Sequence, residues 1–218
     1  MIIAGRDTTR TLLSWFLYAI YDKPDIKAKI MQEINNMVFF FFFNLLSPLC
    51  GVMEYTALLY AKKKKKRLKY LEAVLLETLR LFPPVPILAR MAKKDVELPG
   101  GKDEKKYTIR EGNMVMIHVW SQARNPKYFE DPSKFDPMRW YEQGVAAFPP
   151  HMFPQFNIAP RLCLGRTFAL LEAKIFACHF LKTFDYTPVD TEEPRVEGGP
   201  ILNMTDGYRV HLTPLKQA

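Results

Sequence analysis

Two adjacent prolines, Pro83 and Pro84, divide this chain into a helical part and a part made of short strands. Proline cannot continue a helix, so the strongly apolar segment 71–81 is predicted to form a helix that ends just before them. Beyond them, residues 85–119 form short apolar runs separated by glycine and proline turns, a pattern typical of a small sheet. The sequence therefore predicts a mainly α protein with a small β-sheet, an α+β fold.

Hydrophobic periodicity predicts three more helices. Residues 1–20 carry apolar side chains at helical spacing, and Pro24 is well placed to begin a second helix that runs through Ile34. The clearest helical pattern covers residues 164–184. We expect one face of this last helix to be buried, formed by Phe168, Leu171, Ile175, Cys178, Phe180 and Leu181.

The remaining segments carry weaker signals. Residues 124–153 are rich in proline, aspartate and aromatic residues and are predicted to be irregular but packed. From Pro188 onward the pattern predicts a final hairpin that turns at Asp206-Gly207. With 218 residues, of which 48% are hydrophobic, the chain is long and apolar enough to bury a core, which argues against wholesale disorder.

The net charge of +8 is concentrated in one run, which contains Lys62, Lys63, Lys64, Lys65, Lys66, Arg67 and Lys69. These residues contribute seven positive charges and include no acid. Proteins that bind nucleic acids usually spread basic residues over a face or interleave them with aromatic residues that stack on bases. Neither arrangement occurs elsewhere in the sequence, so we expect no nucleic acid among the partners.

Residues 37–69 differ from their surroundings, because five consecutive phenylalanines, Phe39 to Phe43, precede the basic run. The apolar part is long enough to cross a bilayer, and a basic flank suits a cytoplasmic end, so a membrane span is one interpretation. Several residues interrupt the apolar run, namely Asn44, Pro48, Gly51 and Glu54. Homopolymeric runs also pack with little specificity, and we therefore favour an anomalous insertion or a gene-model error between two helices.

The three cysteines, Cys50, Cys163 and Cys178, do not match the disulfide framework of a small secreted domain, which favours a reducing compartment. Cys163 directly precedes a long predicted helix, where unpaired N–H groups and the helix dipole favour a thiolate, and Arg161 adds a positive charge nearby. A thiolate at this position suits a soft or borderline metal. A small buried apolar residue is the other interpretation, and the local evidence leaves both open.

Four motifs stand in one order along the chain. One resembles the haem-binding loop of the cytochrome P-450 superfamily, Phe-x-x-Gly-x-Arg-x-Cys-x-Gly, and reads Phe156-Asn157-Ile158-Ala159-Pro160-Arg161-Leu162-Cys163-Leu164-Gly165. Two resemble the family's Glu-x-x-Arg motif and the segment that adds a second arginine to it, and read Glu77-Thr78-Leu79-Arg80 and Phe135-Asp136-Pro137-Met138-Arg139-Trp140. The fourth resembles the oxygen-activating stretch of the long central helix, and reads Ala4-Gly5-Arg6-Asp7-Thr8-Thr9. The resemblance covers most of the chain outside residues 37–69 and favours the metal-ligand interpretation of Cys163.

The resemblance implies a haem b cofactor, with Cys163 as the axial thiolate ligand of its iron. Arg161 and Arg90 fall at positions that in the family reach the haem propionates, and guanidinium groups suit those carboxylates. Phe156 and Gly165 complete the implied cofactor-binding set.

The resemblance also implies roles away from residues 156–165, the ligand loop. Asp7 and Thr8 would be the catalytic acid–alcohol pair that guides protons toward dioxygen, with Gly5 leaving the oxygen pocket uncrowded. Considered without the motif, Asp7 is a solvated helix position, and the Thr8 hydroxyl bonds to a carbonyl of the preceding turn. Glu77, Arg80 and Arg139 would form a buried ion network that is structural and fixes the loop that carries Cys163.

The activity that the resemblance implies is that of a haem-thiolate monooxygenase, which uses O₂ and electrons from a separate NADPH-dependent reductase to hydroxylate an apolar small molecule. The segment 81–86 and the stretch 4–9 are similar to the fatty-acid hydroxylase branch. We expect apolar side chains to face the substrate, among them Val85, Ile87 and Met204. The family also implies the cytosolic face of the endoplasmic reticulum membrane as the location.

The sequence departs from the family pattern in several ways. Ala159 replaces the loop glycine and precedes a proline, so we expect a distorted haem loop. Residues 1–218 resemble only the C-terminal portion of one such domain, without the usual N-terminal anchor. Two alternatives follow: a truncated, non-catalytic fragment that cannot retain haem, and an O₂-independent haem-thiolate isomerase or dehydratase, against which Asp7 and Thr8 argue.

Overall fold

The structure is a computed structural model that describes residues 2–44, 68–100, 106–197 and 199–215. The segment 37–69, predicted as an insertion or a membrane span, lies largely outside these residues. Within the described residues, no helix is both long enough and apolar enough to cross a membrane.

In the described part of the chain, four long helices confirm the helical predictions, and a short fifth one joins them. The helices are α1 (Ile2–Tyr21), α2 (Pro24–Asn44), α3 (Lys69–Leu81), α4 (Val119–Gln122) and α5 (Arg166–Thr183). Pro24 is the first residue of α2, as predicted, since its fixed φ suits the first helical position. The helix α3 ends at Leu81, and the following Phe82 still donates its N–H to the Thr78 carbonyl at 2.7 Å before the prolines stop the pattern.

The strands form three separate antiparallel pairs within the described residues. They are β1 (Ile87–Met91), β2 (Val96–Leu98), β3 (Tyr107–Ile109), β4 (Met114–His118), β5 (Phe184–Pro188) and β6 (Val210–Pro214), and β1 pairs with β4, β2 with β3, and β5 with β6. The mixed α+β class is therefore confirmed, although residues 85–119 hold two pairs where one small sheet was predicted.

The final hairpin differs from its prediction. The strand β5 begins directly after α5 and pairs Phe184 with Pro214, so the partner of the last strand lies earlier than Pro188. The turn at Gly207, with φ of +70°, instead follows a single bridge between Val196 and Met204. A glycine there adopts the left-handed backbone at no steric cost.

The core lies where α1 packs against α3 and α5. Trp15 of α1 stacks on Phe82 with ring centroids 4.3 Å apart, and its Nε1–H donates to the Leu202 carbonyl at 2.8 Å. Tyr186 of β5 donates its hydroxyl to the Leu17 carbonyl at 2.7 Å. Both aromatic residues are buried and have a partner for their polar atom, so they tie the C-terminal segment to α1.

The buried face of α5 is narrower than the sequence predicted. Its buried residues are Ala173, Lys174, Ala177, Cys178 and Leu181, whereas Phe168 is 69% exposed. The small side chains of Ala173 and Ala177 leave room for a close approach to a neighbouring helix. Lys174 uses this approach to donate its Nζ to Glu72 on α3, which allows a lysine to be buried.

Candidate functional site

The loop before α5 closes on itself and leaves the Cys163 side chain exposed. The Cys163 N–H donates to the Phe156 carbonyl and the Arg161 N–H donates to the Ile158 carbonyl, each at 2.8 Å. The Cys163 carbonyl accepts the N–H of Arg166, the first residue of α5, at 3.4 Å. The thiol is therefore presented from a hydrogen-bonded loop at the N-terminal end of a long helix, where the dipole favours a negative charge.

Gly165 keeps one side of the Cys163 sulfur open. A Cβ placed at Gly165 would lie 3.8 Å from the Cys163 Sγ, in van der Waals contact with it. Leu164, which lies between Cys163 and Gly165 in the sequence, is 93% exposed. An accessible thiol flanked by uncovered apolar surface suits a large apolar group that carries a metal.

The loop expected to be distorted contains one residue with a positive φ, and this residue is Asn157. The left-handed residue is Asn157, with φ of 62° and ψ of −178°, and Ala159 does not have a positive φ. Asn157 lies in a backbone region used almost only by glycine. The family pattern leaves this position unspecified, so Asn157 could not be singled out from the motif.

Arg90 and Arg161 line the same cavity, which has a volume of about 340 Å³. Arg90 lies on β1, where its Nη1 donates to the Ala89 carbonyl and its Nη2 donates to the Asn157 Oδ1, each at 2.7 Å. The apolar part of the wall includes Leu88 and Ile117, and the described lining residues include no carboxylate. Two guanidinium groups without an acidic partner in the wall suit a ligand with carboxylate groups.

Glu77 and Arg80 on α3 form a fully buried ion pair, as the Glu-x-x-Arg motif predicts. The Arg80 Nε and Nη2 donate to the two carboxylate oxygens of Glu77 at 2.8 Å each, and both side chains are 0% exposed. Arg80 donates further to the carbonyls of Ala123, Pro132 and Lys134 at 2.6–3.0 Å. The pair thus fixes the irregular segment that runs over α3.

Glu77 also holds the segment that the sequence analysis aligned with the second-arginine motif. Its carboxylate accepts the Asp136 N–H and the Trp140 Nε1–H, each at 2.8 Å, and the Arg139 Nε lies 3.5 Å from it. Trp140 packs on Phe153 with centroids 4.5 Å apart, one residue before the short 3₁₀ turn Pro154–Phe156. The network therefore reaches the loop that carries Cys163, and Trp140 is the link that the sequence reasoning missed.

Asp7 and Thr8 lie half-buried near the start of α1. The Thr8 hydroxyl donates to the Ala4 carbonyl at 2.7 Å, the back-bond expected for a threonine in a helix. A Cβ at Gly5 would meet nothing within 4 Å, so the surface beside this turn is open. Among the interactions of the described residues, none joins Asp7 or Thr8 to the Cys163 loop.

The three expected substrate-facing residues differ in exposure. Ile87 is exposed and Val85 is half-buried, so both are accessible, whereas Met204 is buried in the bridge with Val196.

Thiol alkylation distinguishes two of the cysteines. Cys178 is 2% exposed, and burial, together with the nearby charge of Glu33, raises the pKa of its thiol to about 12. Since only the thiolate reacts, about one part in 10⁴ of Cys178 is reactive at pH 8. We expect iodoacetamide at this pH to modify Cys163 in the native chain and to spare Cys178, as measured by mass spectrometry of the separate peptides. Modification of Cys178 in urea is the control, and equal rates in the native chain would contradict the burial.

Comparison with known proteins gives one consistent result. Residues 1–212 match the family described as Cytochrome P450. Cytochrome P450 4V2 of Homo sapiens is 30% identical over 209 residues, which are 95% of this chain and 36% of that relative. Cytochrome P450 52A10 of Candida maltosa is 35% identical over 197 residues, 88% of this chain and 36% of the relative. Cytochrome P450 704C1 of Pinus taeda is 31% identical over 216 residues, 98% and 40% respectively. The chain thus spans 36–40% of the length of these relatives.

Proposed function

Because the chain belongs to the cytochrome P450 family, we propose that it acts as the haem-thiolate part of a monooxygenase that hydroxylates an apolar substrate. One observation carries the proposal: the exposed thiol of Cys163 lies on a closed loop whose residues also line a cavity with two arginines. A thiolate can ligate the iron of a haem b, and guanidinium groups can bind its propionates.

The residues present fit this cofactor. Cys163 would hold the iron, and the open side that Gly165 leaves at its sulfur would admit the flat porphyrin. Arg90 and Arg161 would hold the two propionates, because guanidinium groups bind carboxylates through paired hydrogen bonds. Phe156 lies on the same loop, with the Arg166 guanidinium 5.9 Å from its ring centroid.

When bound, the haem supplies the redox chemistry that inserts one atom of O₂ into a C–H bond. The chain's part in that reaction would be to donate electron density to the iron and to position the groups that pass protons. The Cys163 Sγ donates electron density from the position that the loop hydrogen bonds fix. The Thr8 Oγ1 and the Asp7 carboxylate hold and pass protons, which in Thr8 requires the hydroxyl to leave its bond to the Ala4 carbonyl.

For the substrate, we propose a long apolar molecule, with a fatty acid as the specific candidate. The accessible apolar side chains of Val85 and Ile87 support the apolar class. The similarity of segments 4–9 and 81–86 to the fatty-acid hydroxylase branch supports the specific candidate.

Three parts of the proposal depend on the family and the motif order alone. They are an NADPH-dependent reductase as electron donor, the cytosolic face of the endoplasmic reticulum membrane as location, and the assignment of residues 1–218 to the C-terminal portion of one such domain. That residues 37–69 are an insertion stays a prediction.

Carbon monoxide difference spectroscopy tests the proposal. We expect the chain, supplied with haem and reduced, to give the red-shifted Soret band of a thiolate-ligated complex, and we expect Cys163→Ser to abolish that band. Cys178→Ala is the matched control, because Cys178 is buried in α5 and should leave the band in place. A chain that binds no stoichiometric haem, or a band that survives Cys163→Ser, would overturn the proposal.

A further inference from the structure

Asn157 combines a costly backbone with a specific side-chain contact. Its φ of 62° and ψ of −178° lie in a region that a side chain makes unfavourable and that glycine adopts freely. Glycine would therefore relieve the backbone at this position. An asparagine that persists there needs a compensating role for its amide.

The Asn157 side chain has such a role. Its Oδ1 accepts the Nη2–H of Arg90 at 2.7 Å and the N–H of Ile158 at 3.0 Å. The first bond joins the ligand loop to strand β1, and the second keeps the amide in place against its own backbone. Together with the bond from Arg90 to the Ala89 carbonyl, they fix the direction of an otherwise exposed guanidinium.

The amide is suited to this task because it is neutral. A carboxylate at position 157 would hold Arg90 but would also neutralise it and repel a second carboxylate. An amide oxygen orients the guanidinium and leaves its positive charge available. Arg90, Asn157 and Arg161 line one cavity, so the charge is held where a carboxylate ligand would lie.

We propose that Asn157 is a positioning residue that sets Arg90 for a carboxylate group of the cofactor. The inference rests on the proposed function, since the carboxylates are those of haem b. Asn157 itself touches neither iron nor substrate in this proposal, because it acts through Arg90.

A haem titration tests the inference with three variants of the full chain: Asn157→Gly, Arg90→Gln and the double variant. We expect Asn157→Gly to weaken haem binding about tenfold, the scale of one hydrogen bond to a charged group. The double variant should bind no more weakly than Arg90→Gln alone, because the two residues act in series. With haem dimethyl ester, which lacks the propionate charges, Asn157→Gly should bind as the unaltered chain does.

Two controls separate positioning from stability. The haem-free Asn157→Gly chain should melt at or above the temperature of the unaltered chain, because glycine adopts this backbone without strain. Asn113→Gly removes a similar amide, whose Oδ1 accepts the Arg110 N–H at 3.0 Å outside the cavity, and should leave haem affinity unchanged.

The outcomes distinguish this inference from the proposed function. Equal losses for haem and its dimethyl ester, or no loss in Asn157→Gly, would overturn the inference while haem binding by the unaltered chain upholds the function. No haem binding by the unaltered chain would overturn the function and, with it, the role of Asn157 toward haem. Hydrogen exchange of the haem-free chain then tests the contact itself: Arg90→Gln should speed exchange of the Ile158 amide, and an unchanged rate would contradict the contact.

Discussion

We expect Glu77→Gln to lower the free energy of unfolding of the haem-free chain by about 3–5 kcal/mol, the usual cost of removing one partner from a buried ion pair. Glutamine keeps the shape of the side chain and removes its charge. Arg80 would then remain 0% exposed with hydrogen bonds to carbonyls and without its carboxylate. The charge would stay uncompensated in a site that excludes water.

The surroundings of Glu77 increase this cost. Arg139 lies 3.5 Å from the same carboxylate, so neutralising Glu77 leaves two guanidinium groups close together. The positive charge of Arg80 also acts on Arg124, whose pKa is lowered to about 10, first by its burial and second by that charge. Glu77 is therefore the carboxylate that Arg80 and Arg139 share, and its loss affects both arginines.

Urea denaturation of the unaltered chain and of Glu77→Gln measures this difference in the free energy of unfolding. Glu97→Gln is the matched control, because Glu97 pairs with Lys106 at 3.2 Å on the surface, where both side chains are well exposed. Removing that pair should cost less than about 1 kcal/mol, since water already screens it. Equal losses for the two variants would show that the buried network does not stabilise the fold beyond an ordinary surface pair.

The sequence predicted the parts of this fold that depend on local pattern. Prolines ended α3 and began α2 where expected, because their geometry acts within one or two residues. The Glu-x-x-Arg spacing predicts that Glu77 and Arg80 lie together, because an acid and an arginine three residues apart share a helix face. Both features depend only on residues that are close together in the sequence.

The parts that the sequence could not predict depend on contacts between distant segments. Phe168 has the hydrophobicity of a core residue, yet no neighbouring element covers it in the described structure, whereas Lys174 is buried because Glu72 lies opposite on α3. Asn157 occupies an unspecified position of the loop motif, and only its φ and its hydrogen bond to Arg90 distinguish it. Burial and backbone strain depend on contacts with distant segments of the chain. Hydrophobic periodicity carries no information about those contacts.

The contacts of Trp140 link α3 to the ligand loop and predict a second large loss of stability. Trp140 is 1% exposed, packs on Phe148 and Phe153, and donates its Nε1–H to Glu77. We expect Trp140→Ala to lower the free energy of unfolding by about 3–5 kcal/mol, because the large ring leaves a cavity that its neighbours cannot fill. It also removes one hydrogen bond of a buried carboxylate.

The same variant should loosen the loop that presents the thiol. Phe153 directly precedes the turn whose last residue, Phe156, accepts the Cys163 N–H at 2.8 Å. We therefore expect the Cys163 amide to exchange its hydrogen faster in Trp140→Ala than in the unaltered chain. Trp120→Ala is the control, because Trp120 is 37% exposed and stacks on Arg124 at 3.9 Å, a contact worth about 1 kcal/mol. If the two variants lose equal stability, or if exchange at Cys163 does not change, Trp140 does not connect the buried ion network to the ligand loop.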